Sequence, residues 1–179
     1  MLLDLYTDDP SHEHQVSADF RRSIFWVCPH QGICKINWDV AVDSKLCKLG
    51  IGVAVRDETG NFLATLRKKL DLMPDPKLAE AKAVGIAVQF GLELGMKRVI
   101  LEGDFKVVVK ELELQNQTGS YFGMIILDTQ VSIAKLETCI INHVNREGNS
   151  IAHNLAKAAL HVSDYLVDME ETPLFYQML

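Results

Sequence analysis

From Cys34 onward the chain alternates: Ile36, Trp38, Val40 and Val42 are apolar, and Lys35, Asn37, Asp39 and Ala41 fall between them. A period of two marks a strand, because successive side chains leave opposite faces of the pleat. Asp39 therefore points away from the face that carries Trp38. Ile51, Val53 and Val55 form a second run, and a third opens at Asn61-Phe62-Leu63. The segment between them, Asp57-Glu58-Thr59-Gly60, has turn chemistry and predicts an antiparallel hairpin. After Met73-Pro74-Asp75-Pro76 the period lengthens. Leu78, Ala81, Ile86 and Phe90 mix with Lys82, Gln89 and Glu93 up to Gly95, the pattern of an amphipathic helix with a glycine stop. Glu80 shares the stripe of Val84, Ala87 and Gly91, opposite Lys82, Gln89 and Glu93, although a glutamate ordinarily seeks water.

Arg98-Val99-Ile100-Leu101 is an almost continuous apolar run, which predicts a strand covered on both faces. It delivers Asp104 at its carboxyl end, where open α/β sheets bind ligands. Further on, the pattern predicts a short helix over 105–114, a loop over 115–120, an amphipathic helix over 121–136 and a strand over 138–144. A last helix spans 150–160, with Ile151, Leu155 and Ala158 as its apolar stripe and His153 off that stripe. The predicted fold class is α/β, with a five-stranded mixed sheet flanked by helices. Its first three strands are antiparallel, and the strands at 97–104 and 138–144 run parallel to the first. One domain over 34–165 accounts for all these elements. Residues 1–33 have little periodicity and predict a flexible lead-in, and residues 166–179 a C-terminal tail.

Composition narrows the picture. With 179 residues, 48% of them hydrophobic, the chain can bury one sizeable core and is short for two. Its apolar runs fall far short of the ~20 residues that span a bilayer, so no membrane partner is expected. The acidic opening MLLDLYTDDPSHEHQ lacks the features of a secretory signal. Cys28, Cys34, Cys47 and Cys139 are irregularly spaced, which fits a reducing intracellular setting, cytoplasm or nucleus, better than a disulfide framework or a zinc site. His12, His14 and His30 are scattered through the lead-in without metal-site spacing. A net charge of −6 argues against strong nonspecific affinity for nucleic acid, so any such binding must be local and metal-assisted. The run Arg67-Lys68-Lys69 reads either as charge protecting a sheet edge or as a phosphate contact.

The order of elements places one acid in the first strand, one in the first helix and one at the end of the fourth strand. That order, with the segments KINWDVAVD, IGVAVRDETGNFLA, LAEAKAVGIAVQFGLELGMKRVILEGD and INHVNREGNSIAHNLAKAAL, resembles the plant reverse-transcriptase-like ribonuclease H domains related to retroelements. The resemblance implies a ribonuclease H-like fold and a metal-dependent endonuclease. In such an enzyme Asp39 would bridge two Mg²⁺ ions, with Mn²⁺ as an alternative, and Glu80 and Asp104 would complete their ligand set. Hard Mg²⁺ takes oxygen ligands and is held by few carboxylates plus substrate phosphates, which explains the need for acids. The implied reaction is hydrolysis of the RNA strand of an RNA·DNA hybrid, leaving 5′-phosphate and 3′-hydroxyl ends. The 2′-hydroxyl is what distinguishes that strand from DNA.

Two positions depart from the family. His153 stands where a fourth carboxylate is usual; it joins the metal and catalytic candidates, but imidazole suits softer metals than Mg²⁺, which implies weakened activity. Val40 stands where glycine commonly follows the first aspartate, and its side chain would crowd a sugar-phosphate backbone. His143 matches the family's mobile histidine, which assists proton transfer or product release. Asp104 can also cap the helix after it, and His153 can be a helix-terminal histidine with only local hydrogen bonds. Two further readings therefore stand beside the nuclease: a module that binds hybrid or RNA without turnover, and a protein-interaction scaffold.

Overall fold

The computed structural model describes residues 26–71, 76–114 and 119–170. The alternating runs form an antiparallel meander of β1 (Cys34–Asp43), β2 (Lys48–Arg56) and β3 (Phe62–Asp71). The β2–β3 turn is held by Asp57, whose Oδ1 accepts the backbone N–H groups of Thr59 at 2.8 Å and Asn61 at 2.9 Å. Gly60 supplies the φ of +89° that closes it. Helix α1 (Pro76–Glu93) leads to β4 (Arg98–Gly103), which lies parallel to β1. Helices α2 (Lys106–Glu113) and α3 (Tyr121–Ile133) lead to β5 (Thr138–His143), parallel to β4, and α4 (Ser150–Ala159) follows. Among the described residues no helix is long and apolar enough to cross a membrane.

The sheet has six strands, in the order β5-β4-β1-β2-β3-β6, rather than the expected five. The sixth, β6 (Tyr165–Met169), comes from residues read in sequence as the start of a tail, and it pairs antiparallel with β3. Arg67 donates to Asp168 Oδ2 at 2.7 Å across that pairing. The basic run on β3 is thus internal to the sheet, and β6 is the edge. The lead-in also ends earlier than expected. Trp26 donates its indole N–H to Asn37 Oδ1 at 3.0 Å, and Lys35 Nζ donates to the Val27 carbonyl at 2.6 Å, so residues 26–33 pack onto the domain. The earlier residues, including His12 and His14, and the last residues of the expected tail lie outside the described ones.

The strands β1 and β2 are buried on both faces. One face carries Ile36, Trp38, Ile51, Val53 and Val55 and packs on the Val84, Ala87, Val88 stripe of α1. The other takes α4 at very short range through Gly50 and Gly52. A β-carbon on Gly52 would lie 2.2 Å from the Ala152 carbonyl oxygen and 2.3 Å from the Ala156 amide nitrogen. Because α4 has to move to admit any side chain there, Gly52→Ala is expected to cost about 3 kcal/mol. Thermal unfolding should then fall by roughly 10 °C. An unchanged melting temperature would show that α4 is not seated as described.

Candidate metal centre

The polar half of the β1 alternation lies under α4 instead of in water, so Lys35, Asn37 and Asp39 need partners inside the protein. Asn37 uses its whole amide. Its Oδ1 accepts from Trp26 and, at 3.0 Å, from Arg56 Nη2, and its Nδ2 donates to Glu102 Oε2 at 3.2 Å and Asn149 Oδ1 at 3.3 Å. Lys35 Nζ pairs with Glu102 Oε1 at 2.8 Å. Asn149, at the start of α4, donates its own amide to the Trp38 carbonyl at 2.8 Å. This pins α4 to the backbone immediately before Asp39.

The β1–β4 pairing ends at Asn37↔Glu102. Two residues further along, the strands have separated, and Asp39 and Asp104 stand on either side of the opening. Gly103 lets the end of β4 approach the Trp38 indole, since a β-carbon there would fall 2.3 Å from Cζ2. Glu80 reaches the same opening from α1. Ligand oxygens of Asp39, Glu80 and Asp104 all lie within 4.8 Å of one another. Asp39 is 3% exposed, Glu80 7%, and Asp104 half-buried.

Three carboxylates this close oppose one another's ionisation, and burial adds to the cost. Burial first, then the charges of Asp39 and Asp104, push the Glu80 carboxyl up to about 9. Arg146 and the Trp38 indole offset part of this, although the indole N–H closes no hydrogen bond of normal geometry. Burial, then Asp104, raises Asp39 above the ordinary aspartate range against the opposing pull of the Val40 N–H and His153. Glu80 Oε2 is buried and has no hydrogen-bond partner. A hard divalent cation would satisfy that oxygen and compensate the trio, so the donor set fits Mg²⁺ or Mn²⁺.

The remaining sequence candidates stand around the trio without joining it. The His153 Nδ1–H donates to Asp39 Oδ2 at 2.7 Å. One Arg146 guanidinium nitrogen lies 3.2 Å from both ring nitrogens of His153. An in-plane approach at that spacing would collide with the ring carbon between them, so this nitrogen sits over the imidazole face. His143 is exposed at the rim, with Nε2 3.2 Å from the Asp104 carbonyl oxygen. Val40 is half-buried and packs on the core, so only part of its side chain can crowd a ligand. Arg146, Asn37 and Asn149 were not singled out from the sequence. Asn149 has the residue type and place of a helix cap, but its side chain makes no capping bond.

The fold can be placed among solved structures. Ribonuclease H1 from the halophilic archaeon Halobacterium salinarum superposes with a TM-score of 0.65 at 21% identity, covering 72% of this chain and 97% of that one. An N-terminal ribonuclease H domain from Mycobacterium tuberculosis gives 0.64 at 18% identity, covering 72% and 93%. A compost ribonuclease H1 in complex with an RNA/DNA hybrid gives 0.61 at 19% identity, covering 71% and 99%. These likenesses establish a ribonuclease H-like fold. No curated protein matches the chain. The model of one family, described as reverse transcriptase-like, matches residues 37–159. That span takes in all three carboxylates and runs from within β1 to the end of α4, and the chain belongs to the reverse transcriptase-like family.

Proposed function

We propose that this domain is a divalent-metal-dependent endonuclease that hydrolyses the RNA strand of RNA·DNA hybrids. The observation that carries the reading is the convergence of Asp39, Glu80 and Asp104 oxygens within 4.8 Å around the unpartnered Glu80 Oε2. Membership of the family and the ribonuclease H neighbours support it, one of them solved with a hybrid bound. Asp39, Glu80 and Asp104 would hold Mg²⁺ or Mn²⁺, which when bound supplies Lewis acidity at a phosphate oxygen and makes water a better nucleophile at neutral pH. His153 orients the Asp39 carboxylate through its Nδ1–H, and Asn149 fixes the backbone from which that carboxylate projects. Water adds at phosphorus as the bond to O3′ breaks. The attacking water gives up one proton and the departing O3′ takes one, and His143 at the rim would relay it.

A labelled RNA·DNA hybrid incubated with the full chain tests this. Cleavage is expected in Mg²⁺ and in Mn²⁺, and none in excess EDTA. Products should carry 5′-phosphates. The binding-module reading is favoured by one observation, the occupation of Asp39 Oδ2 by His153 in place of a fourth acid. It would stand if the hybrid is bound but cut in neither metal.

A further inference from the structure

The surroundings of Asp39 are not symmetric. Glu80 and Asp104 bring carboxylate oxygens to it. Asp39 Oδ2 is also engaged by the His153 N–H, and an Arg146 guanidinium nitrogen lies over that imidazole. A second divalent cation on the His153 side would meet a committed oxygen, a ring nitrogen and a fixed positive charge. Arg146 itself is exposed and, among the described residues, forms no ion pair with a carboxylate. Its remaining N–H donors form a planar fork suited to phosphate oxygens. The chain has only 18 lysines and arginines against 24 acids, so a cation held beside the acidic opening carries more than its usual weight in binding a polyanion.

We propose that Arg146, set against the ring of His153, takes the place of a second metal ion, so that the centre accepts one divalent cation and Arg146 grips a backbone phosphate of the nucleic acid. The inference rests on the nuclease reading above and specifies how that site meets its substrate. It makes Arg146 a substrate-binding residue and His153 its positioning residue as well as that of Asp39.

Calorimetric titration of the full chain with Mn²⁺, without nucleic acid, should show one ion per chain. The double variant Arg146→Ala/His153→Asp should take two, because the substitution removes the cation and supplies an oxygen donor in its place. His153→Asp alone should still take one, since the new carboxylate pairs with Arg146. In a second measurement, hybrid affinity is followed against salt. Arg146→Ala should reduce the slope of log K against log[salt] by about 1, the loss of one phosphate contact, and Arg146→Lys should largely keep it. Two Mn²⁺ ions on the parent, or an unchanged salt slope in Arg146→Ala, would overturn the proposal while the nuclease reading survives. A parent that binds neither Mn²⁺ nor hybrid overturns both.

Discussion

Asp39→Asn is expected to lower metal-supported cleavage of a hybrid by roughly a thousandfold, about 4 kcal/mol in the barrier, while the protein stays folded. The amide keeps the size of the carboxylate and can still accept the His153 N–H through its oxygen, so the local geometry has no reason to collapse. What it loses is the anionic oxygen shared between the trio and the bound cation. The electrostatic consequence without metal runs the other way. Asp39 is buried beside Asp104 and contributes to the repulsion felt at Glu80, so its neutralisation relieves the native state. Metal-free Asp39→Asn should therefore melt no lower than the parent, and Mg²⁺ should stabilise it far less. Circular dichroism melts with and without Mg²⁺, run beside the cleavage assay, separate these outcomes. Undiminished cleavage by Asp39→Asn would mean that the nuclease acts through another centre.

The trio could be read from the chain through the order of the acids along the elements and the family that order resembles; locally, only Glu80 stands out against its surroundings. Glu80 occupies an apolar helix stripe, Asp39 a strand that turns out to be covered on both faces, and Asp104 the end of an apolar run. All three meet at one opening in the sheet. The antiparallel meander and the two parallel strands were equally legible, because alternation over many residues and turn chemistry are local signals. The sixth strand was not. Tyr165–Met169 is short, and its stability comes from pairing with β3 and from the Arg67–Asp168 bridge, a contact across some hundred residues. For the same reason Arg67-Lys68-Lys69 looked like a guarded edge.

The polar network under α4 was hidden by a different cause. Asn37, Asn149 and Trp26 have ordinary propensities, and nothing local tells a solvent-facing asparagine from one that satisfies four hydrogen bonds in the interior. The two glycines of β2 were the available signal. Gly50 and Gly52, spaced by two, put backbone on one face of a central strand, a pattern that indicates close approach of another element. The polar residues beside them on β1 then had to be buried.

The pH dependence of stability should be set by Glu80. Its carboxyl titrates near 9 in the folded protein against an ordinary value of 4.5, so the native state binds this proton more tightly than the unfolded chain does. The stabilisation is complete below about pH 4.5 and is lost progressively as pH rises toward 9. Asp39, raised in the same sense, adds to the decline. Glu80→Gln has a neutral, isosteric amide at the same place and cannot titrate. At pH 8 without metal it should be more stable than the parent by on the order of 3 kcal/mol, or roughly 10 °C in melting temperature, with the two converging near pH 5. Saturating Mg²⁺ should reverse the ranking, because a cation stabilises the ionised trio and draws little from the amide. The parent should also release close to one proton per Mn²⁺ bound at pH 7, measurable by calorimetry in buffers of different ionisation enthalpy, and Glu80→Gln should release far less. Parallel stability curves for the two proteins from pH 5 to 9 would show that Glu80 is ionised at neutral pH without metal, and that its carboxylate is compensated by the protein alone.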